Sequence, residues 1–135
     1  MVHFSWPVVK RAKARMKWLI QTKLWGMNIH PTARIDPSAL IDRTWPRGIY
    51  IGPRCSIAEE AVVLSHDLTR GVYLETRIGA GTYVGARAII LPGLTLGTDC
   101  IVMPGALVTK DLPDRSIAIG NPAKVSSRED AATSA

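Results

Sequence analysis

At 135 residues and 47% hydrophobic content the chain fits one compact domain around a single core, which argues against a multi-domain reading. Its net charge of +6 is local: residues 1–28 hold Lys10, Arg11, Lys13, Arg15, Lys17 and Lys23 with no acid, leaving 11 basic against 11 acidic residues in a neutral body. Nucleic acid is therefore not an expected partner. Cys55 and Cys100 lack a Cys-x-x-Cys spacing, which argues against a disulfide scaffold or a structural zinc site and fits a reducing cytoplasm.

The longest apolar run near the N-terminus, Trp18-Leu19-Ile20, falls far short of a signal-peptide core or the ~20 residues of a membrane span. The expected location is cytoplasmic, soluble or peripheral at the inner membrane surface. Val8 to about Trp25 reads as helix, with Val8, Val9, Ala12, Met16, Leu19 and Ile20 on one arc, most basic residues elsewhere, and Gly26 as its stop. Two uses for this segment stay open. It caps the first coil or a partner subunit with its basic face in solvent, or it attaches to an anionic membrane surface, since Trp18 and Trp25 flank a basic amphipathic stretch.

From Ile29 onward the period changes to six. Aliphatic residues recur at Ile29, Ile35 and Ile41, at Ile51, Ile57 and Val63, and at Ile78, Val84, Ile90, Leu96, Val102 and Val108, with longer steps between 41 and 51 and between 63 and 78. Four residues after each but Val63 come Ala33, Ala39, Trp45, Cys55, Ala61, Thr82, Ala88, Leu94, Cys100, Ala106 and Leu112, mostly small and expected to point inward. Gly52, Gly79, Gly85 and Gly97 directly follow the aliphatic, where a sharp corner with positive φ is expected. Three hexads per coil make a triangular prism of short flat strands with aliphatic ladders inside. Four to five coils are near the minimum for a solenoid, so residues 1–27 and 113–135 are the expected end covers.

These residues resemble the hexapeptide-repeat acyltransferases over roughly Ile29 to Val125. The strongest parts are Ile78-Gly79-Ala80-Gly81-Thr82-Tyr83-Val84-Gly85, Ile90-Leu91-Pro92-Gly93, and Val108-Thr109-Lys110-Asp111-Leu112-Pro113 followed by Gly120-Asn121-Pro122-Ala123-Lys124-Val125. The resemblance implies an all-β fold, a left-handed parallel β-helix over 28–125 with the N-terminal helical segment 1–27, and a homotrimer with sites between subunits. Residues 126–135 read as a polar tail expected to fray.

Of three histidines, His3 precedes the helix, His30 sits at a corner of the first hexad, and His66 lies where the repeat breaks. Interruptions of a solenoid are where loops leave and sites form. The resemblance gives His66 the role of general base; an imidazole with pKa near ~6.5 can take the proton that an acceptor hydroxyl or amine loses as it attacks a thioester. The implied reaction is direct transfer from acetyl-CoA to a sugar or saccharide acceptor, without a covalent enzyme intermediate or a metal. Asp67, a more distant carboxylate such as Glu75, or a backbone carbonyl could orient His66, and the choice stays open. His30 takes a structural corner role. For acetyl-CoA the matching positions are Ala86, Thr109, Lys110 and Lys124, the lysines suiting phosphates, with Tyr83 as a candidate for lining the cleft. Cys55 and Cys100 read as buried core thiols.

Serine acetyltransferase shares the fold and resembles the carboxy-terminal half, but that family usually carries a long helical N-terminal domain for which 27 residues leave no room. A zinc-dependent carbonic anhydrase needs three metal-binding histidines, two of them close together, whereas His30 and His66 are 36 residues apart. A scaffold subunit without chemistry is the remaining alternative. Acceptor contacts are expected from residues 43–50 and 64–77.

Overall fold

The structure is a computed structural model that describes residues 5–130. Helix α1 (Val8–Leu19) runs into a π-helical turn over Ile20–Leu24, and Gly26, at φ +82°, ends it as expected. The first coil is β1 (Asn28–Ile29), β2 (Arg34–Ile35) and β3 (Leu40–Ile41); the second is β4 (Ile49–Ile51), β5 (Ser56–Ile57) and β6 (Val62–Val63). A hairpin of β7 (His66–Asp67) and β8 (Val72–Tyr73) follows. The third coil is β9 (Thr76–Ile78), β10 (Tyr83–Val84) and β11 (Ile89–Ile90), and the fourth β12 (Thr95–Leu96), β13 (Ile101–Val102) and β14 (Leu107–Val108). The chain closes with β15 (Ser116–Ile119) and β16 (Lys124–Ser127).

Successive strands visit three sheets in turn, so each sheet is a stack of parallel strands from successive coils: β1-β4-β9-β12, then β2-β5-β10-β13-β15, then β3-β6-β11-β14. Register locks the ladders: Ile29 sits beside Ile51, Ile35 beside Ile57, and Ile41 beside Val63. Every aliphatic of the six-residue period is buried, Ile35 being the most exposed at 8%. Of the second set, Ala39, Cys55, Ala61, Thr82, Ala88, Cys100, Ala106 and Leu112 are buried too, while Ala33, Leu94 and Trp45 are half-buried. Both cysteines are free core thiols, and burial pushes the Cys55 thiol up.

The corners correct one expectation. Positive φ does not fall on Gly52, Gly79, Gly85 or Gly97 but three residues after the aliphatic, at Arg54, Glu60, Gly81, Arg87, Gly93, Asp99 and Gly105. The four glycines answer a different need, close approach between coils. A Cβ on Gly79 would stand 2.5 Å from the Gly97 carbonyl, and one on Gly85 2.5 Å from the Pro104 nitrogen. Stacked strands about 4.8 Å apart leave no room for a side chain where the backbone turns inward.

Both ends are covered. Strand β16 pairs antiparallel with β15, and Arg128 donates from Nη1 to the Asp99 carbonyl at 2.9 Å. Residues 126–129 are therefore held against the last coil rather than frayed; 131–135 lie outside the described residues. The front cover inverts the orientation expected of a cap with its basic face in solvent. Val8, Val9 and Met16 are 70%, 66% and 61% exposed, and the first coil is met instead by Lys10, Lys17, Trp18 and Gln21. The Lys17 ammonium donates to the Pro37 and Ala39 carbonyls, both at 2.7 Å, and burial pulls its pKa down.

Candidate active site

The prism has three edges, and the interruptions of the repeat all fall on the one joining the third sheet to the first. Backbone N–H groups of Asp42, Leu64 and Leu91 donate to the carbonyls of Val63, Ile90 and Val108, so positions 42, 64, 91 and 109 stack one above another along that edge. Between coils one and two the chain detours through Trp45 and the turn Pro46–Gly48; between coils two and three it leaves as the β7–β8 hairpin. The two detours lie side by side, and His66, on the first strand of the hairpin, faces Asp42 at the start of the other.

His66 is held by a residue 24 positions earlier. Asp42, only 2% exposed, accepts from the backbone N–H of Ser65 at 2.9 Å and of His66 at 3.1 Å on Oδ2, and Nδ1 of His66 donates to the same oxygen. Its other oxygen accepts from the Thr44 N–H at 2.8 Å. Burial alone would raise this carboxyl, but the Ser65, His66 and Thr44 donors outweigh it and hold Asp42 below the ordinary carboxylate range. An ionised Asp42 can only accept, which places the imidazole proton on Nδ1 and leaves Nε2 with its lone pair. The geometry is that of an oriented base.

Neither Asp67 nor Glu75 does this work. Asp67 Oδ1 accepts from the Thr69 N–H, the Thr69 hydroxyl and the Arg70 N–H, and its Oδ2 from Arg70 Nε at 2.7 Å; the Thr69 and Arg70 side chains push its pKa far down. It shapes the hairpin tip. Glu75 pairs with Arg77 at 2.7 Å. His30 is a corner residue, its Nδ1 within 2.8 Å of the Thr32 hydroxyl and accepting from the Thr32 N–H at 3.1 Å.

Around His66 the wall is aromatic. Tyr73, paired with His66 across the hairpin, stacks on the imidazole at 6.4 Å between centroids, and Trp45 meets Tyr73 edge-on at 6.0 Å. Tyr73 is 58% exposed, so its ring is open to a ligand. The hairpin base is rigid: Thr76 donates to the Leu64 carbonyl at 2.5 Å, Ser65 Oγ to the Trp45 carbonyl at 2.8 Å, and the Leu74 N–H to the Ser65 carbonyl at 2.8 Å.

The other candidate residues divide between edges. Thr109 and Lys110 follow β14 on the His66 edge, two coils further along, and both are exposed. Ala86, whose carbonyl accepts from the Gly105 N–H, turns the edge between the second and third sheets, and Lys124 opens β16 on the same side. Tyr83, 39% exposed, lies on the second sheet, and the ring stacked on His66 is Tyr73 instead. One chain thus does not gather all six. A groove crosses the outer face of the first sheet past Trp18, Tyr50 and Arg77, away from His66.

Stacked six-residue corners define a hexapeptide-repeat fold, with a carboxylate-held histidine at its interruption. Residues 75–110 match the family described as bacterial transferase hexapeptide (six repeats). Serine acetyltransferase 2 of Arabidopsis thaliana is 35% identical over 109 residues, which cover 77% of this chain and 33% of that protein. The chain thus spans about a third of that relative's length. In fold it is similar to a maltose O-acetyltransferase from Clostridium difficile 630, with TM-score 0.65 and 19% identity over 88% of this chain and 81% of that one. Serine acetyltransferase of Neisseria gonorrhoeae superposes with TM-score 0.54 and 24% identity over 87% and 48% of the two chains.

Proposed function

We propose that the chain is an acetyl-CoA-dependent acetyltransferase that acylates a hydroxyl or amine of a sugar or saccharide acceptor. The observation that carries this is the Asp42–His66 pair at the interrupted edge. His66 Nε2 takes the acceptor's proton as its oxygen or nitrogen bonds to the acetyl carbon, and Asp42 steadies the imidazolium that forms. The carbon–sulfur bond then breaks and the proton passes to the departing thiolate, leaving acetylated acceptor and free coenzyme A. No enzyme nucleophile takes part, in keeping with two buried cysteines.

A left-handed coil and a trimer belong to this reading. His66, Thr109 and Lys110 stand on one edge and Ala86 and Lys124 on another, so a complete site needs the second edge of a neighbouring copy laid against the first. Lys110 and Lys124 are exposed and form no ion pair among the described residues, which suits the phosphates of acetyl-CoA. The open Tyr73 ring beside Trp45 favours a sugar, whose C–H faces pack on aromatic rings. The identity to serine acetyltransferase favours a second acceptor, the hydroxyl of serine.

The test is a calorimetric titration with acetyl-CoA followed by a panel of maltose-like sugars, amino sugars and serine, with His66→Ala as control. Saturable binding near one site per chain, with turnover abolished in His66→Ala, is expected. Absence of binding at millimolar acetyl-CoA overturns the proposal in favour of a scaffold.

A further inference from the structure

The N-terminal helix sits on the prism by its polar side. Lys10 Nζ lies 2.6 Å from Asp36 and 3.6 Å from Glu59, Lys17 caps two carbonyls of the first coil, Trp18 Nε1 donates to the Ile29 carbonyl at 3.1 Å, and Gln21 is buried. What faces outward is apolar. At ~100° per residue Val8, Leu19, Ala12, Met16 and Val9 fall on one continuous arc of about 100°, and Leu24, at the end of the π-helical turn, is 77% exposed.

Arg11 and Arg15 border this arc on one side and Lys13 on the other, with Lys23 next to Leu24; all four are exposed. Arg11, Lys13 and Lys23 form no ion pair among the described residues, and Arg15 lies over the Trp18 ring at 4.8 Å. Residues 5–28 contain no acid, and the two carboxylates that face the helix, Asp36 and Glu59, meet Lys10 on its inner side. An apolar strip between rows of cations, on a helix docked by its polar face, is the arrangement of a segment lying in the plane of a membrane surface.

We propose that residues 8–24 bind an anionic phospholipid bilayer, with Val8, Val9, Met16, Leu19 and Leu24 entering the headgroup boundary and Arg11, Lys13, Arg15 and Lys23 meeting lipid phosphates. Charge selects this occupant over a second copy of the chain. Outside residues 1–28 the protein has 11 basic and 11 acidic residues, so its own surface offers no excess of negative charge to such a face, whereas an anionic leaflet does. The segment lies on the bilayer rather than crossing it: no helix among the described residues is long and apolar enough to span. The proposal does not depend on the acetyl-transfer reading.

The experiment is co-sedimentation of the full chain with extruded vesicles of phosphatidylcholine, with and without phosphatidylglycerol, at low and high salt. The wild type is expected to pellet with the phosphatidylglycerol vesicles, to be released by high salt, and to stay in solution with phosphatidylcholine alone. Val9→Asp combined with Met16→Asp, both at exposed positions, should abolish pelleting while far-UV circular dichroism keeps the wild-type spectrum. Arg11→Gln, Lys13→Gln and Arg15→Gln together should weaken binding about a hundredfold, at roughly 1 kcal/mol for each cation near the surface. A wild type that ignores anionic vesicles, or a double aspartate variant that still pellets with them, overturns the proposal. So does a double variant whose only change is a smaller mass by light scattering, since the face is then a subunit contact.

Discussion

Replacing Asp42 by asparagine keeps the shape of the residue and removes its charge. The oxygen that receives Nδ1 of His66 also receives the Ser65 and His66 backbone N–H groups, so the loop keeps two of its anchors if the asparagine oxygen takes that place. The imidazolium formed as His66 accepts a proton loses its counter-charge. A hydrogen bond to a charged group is worth ~1.5–3 kcal/mol, which at about 1.4 kcal/mol per decade lowers kcat by roughly ten- to a hundredfold. The loss is larger if the asparagine presents its NH2 to Nδ1, because the proton then moves to Nε2 and the base is gone. Turnover is read as loss of thioester absorbance with whichever acceptor the panel identifies, and 15N shifts of the His66 ring report the tautomer. The Michaelis constant for acetyl-CoA should be nearly unchanged. An Asp42→Asn enzyme with wild-type kcat beside an inactive His66→Ala, or a wild-type ring protonated on Nε2, refutes the reasoning. Stability gives an independent reading. Asp42 titrates below its ordinary value in the fold, so its ionised form contributes stability above the unfolded value near ~3.9, and that contribution disappears as pH falls through the native value. Urea midpoints of Asp42→Asn should vary less across the acid limb than those of the wild type.

Two further predictions address the coil and its cover. Gly79→Ala drives a Cβ to 2.5 Å from the Gly97 backbone in the coil below, where neither chain can yield, and should cost about 1–3 kcal/mol in urea unfolding. Gly105→Ala, at φ +75° but with open space around it, should cost only about 1 kcal/mol; a loss at Gly79 no larger than that would mean that the coils yield to its Cβ. Lys17→Met leaves the Pro37 and Ala39 carbonyls without their donor and should lower stability by about 1–3 kcal/mol, whereas Lys13→Met, exposed and unpaired among the described residues, should leave the unfolding midpoint unchanged.

The ladders were legible because a six-residue period is a direct imprint of the fold: one side chain per strand points inward, and a corner intervenes before the next. Ile29 through Val108 are buried in the order the spacing predicts. The glycines were misread because sequence position alone does not separate two demands for a missing Cβ, a left-handed φ and a close neighbour. Arg54, Glu60, Arg87 and Asp99 carry the left-handed conformation without glycine, so composition is a poor guide to where the chain turns. Of the two uses open for the helix, a cap with its basic face in solvent fails for a related reason. Its apolar arc is real, but burying a face requires a partner, and Lys10 and Lys17 found carboxylates and carbonyls on the first coil that fix the opposite face inward.

Asp42 is not the carboxylate that chain position suggests for orienting His66, although the hexad register contains the signal that finds it. Three hexads make an 18-residue coil, and Ile41 pairs with Val63 at a separation of 22 because the first detour inserts four residues. Any residue directly after Ile41 must therefore sit beside the residue directly after Val63, on the edge from which the hairpin departs. An acid at that position, followed by Arg43 and Thr44 rather than by another hexad, has no ladder to join and a loop to anchor. It faces the backbone donors of Ser65 and His66, which need an acceptor once the strand pairing stops. Counting in coils rather than along the chain brings both members of the pair to one edge, and it gives the reason an interrupted repeat hosts chemistry: the interruption frees backbone donors, and a buried carboxylate that satisfies them is already placed to orient an imidazole.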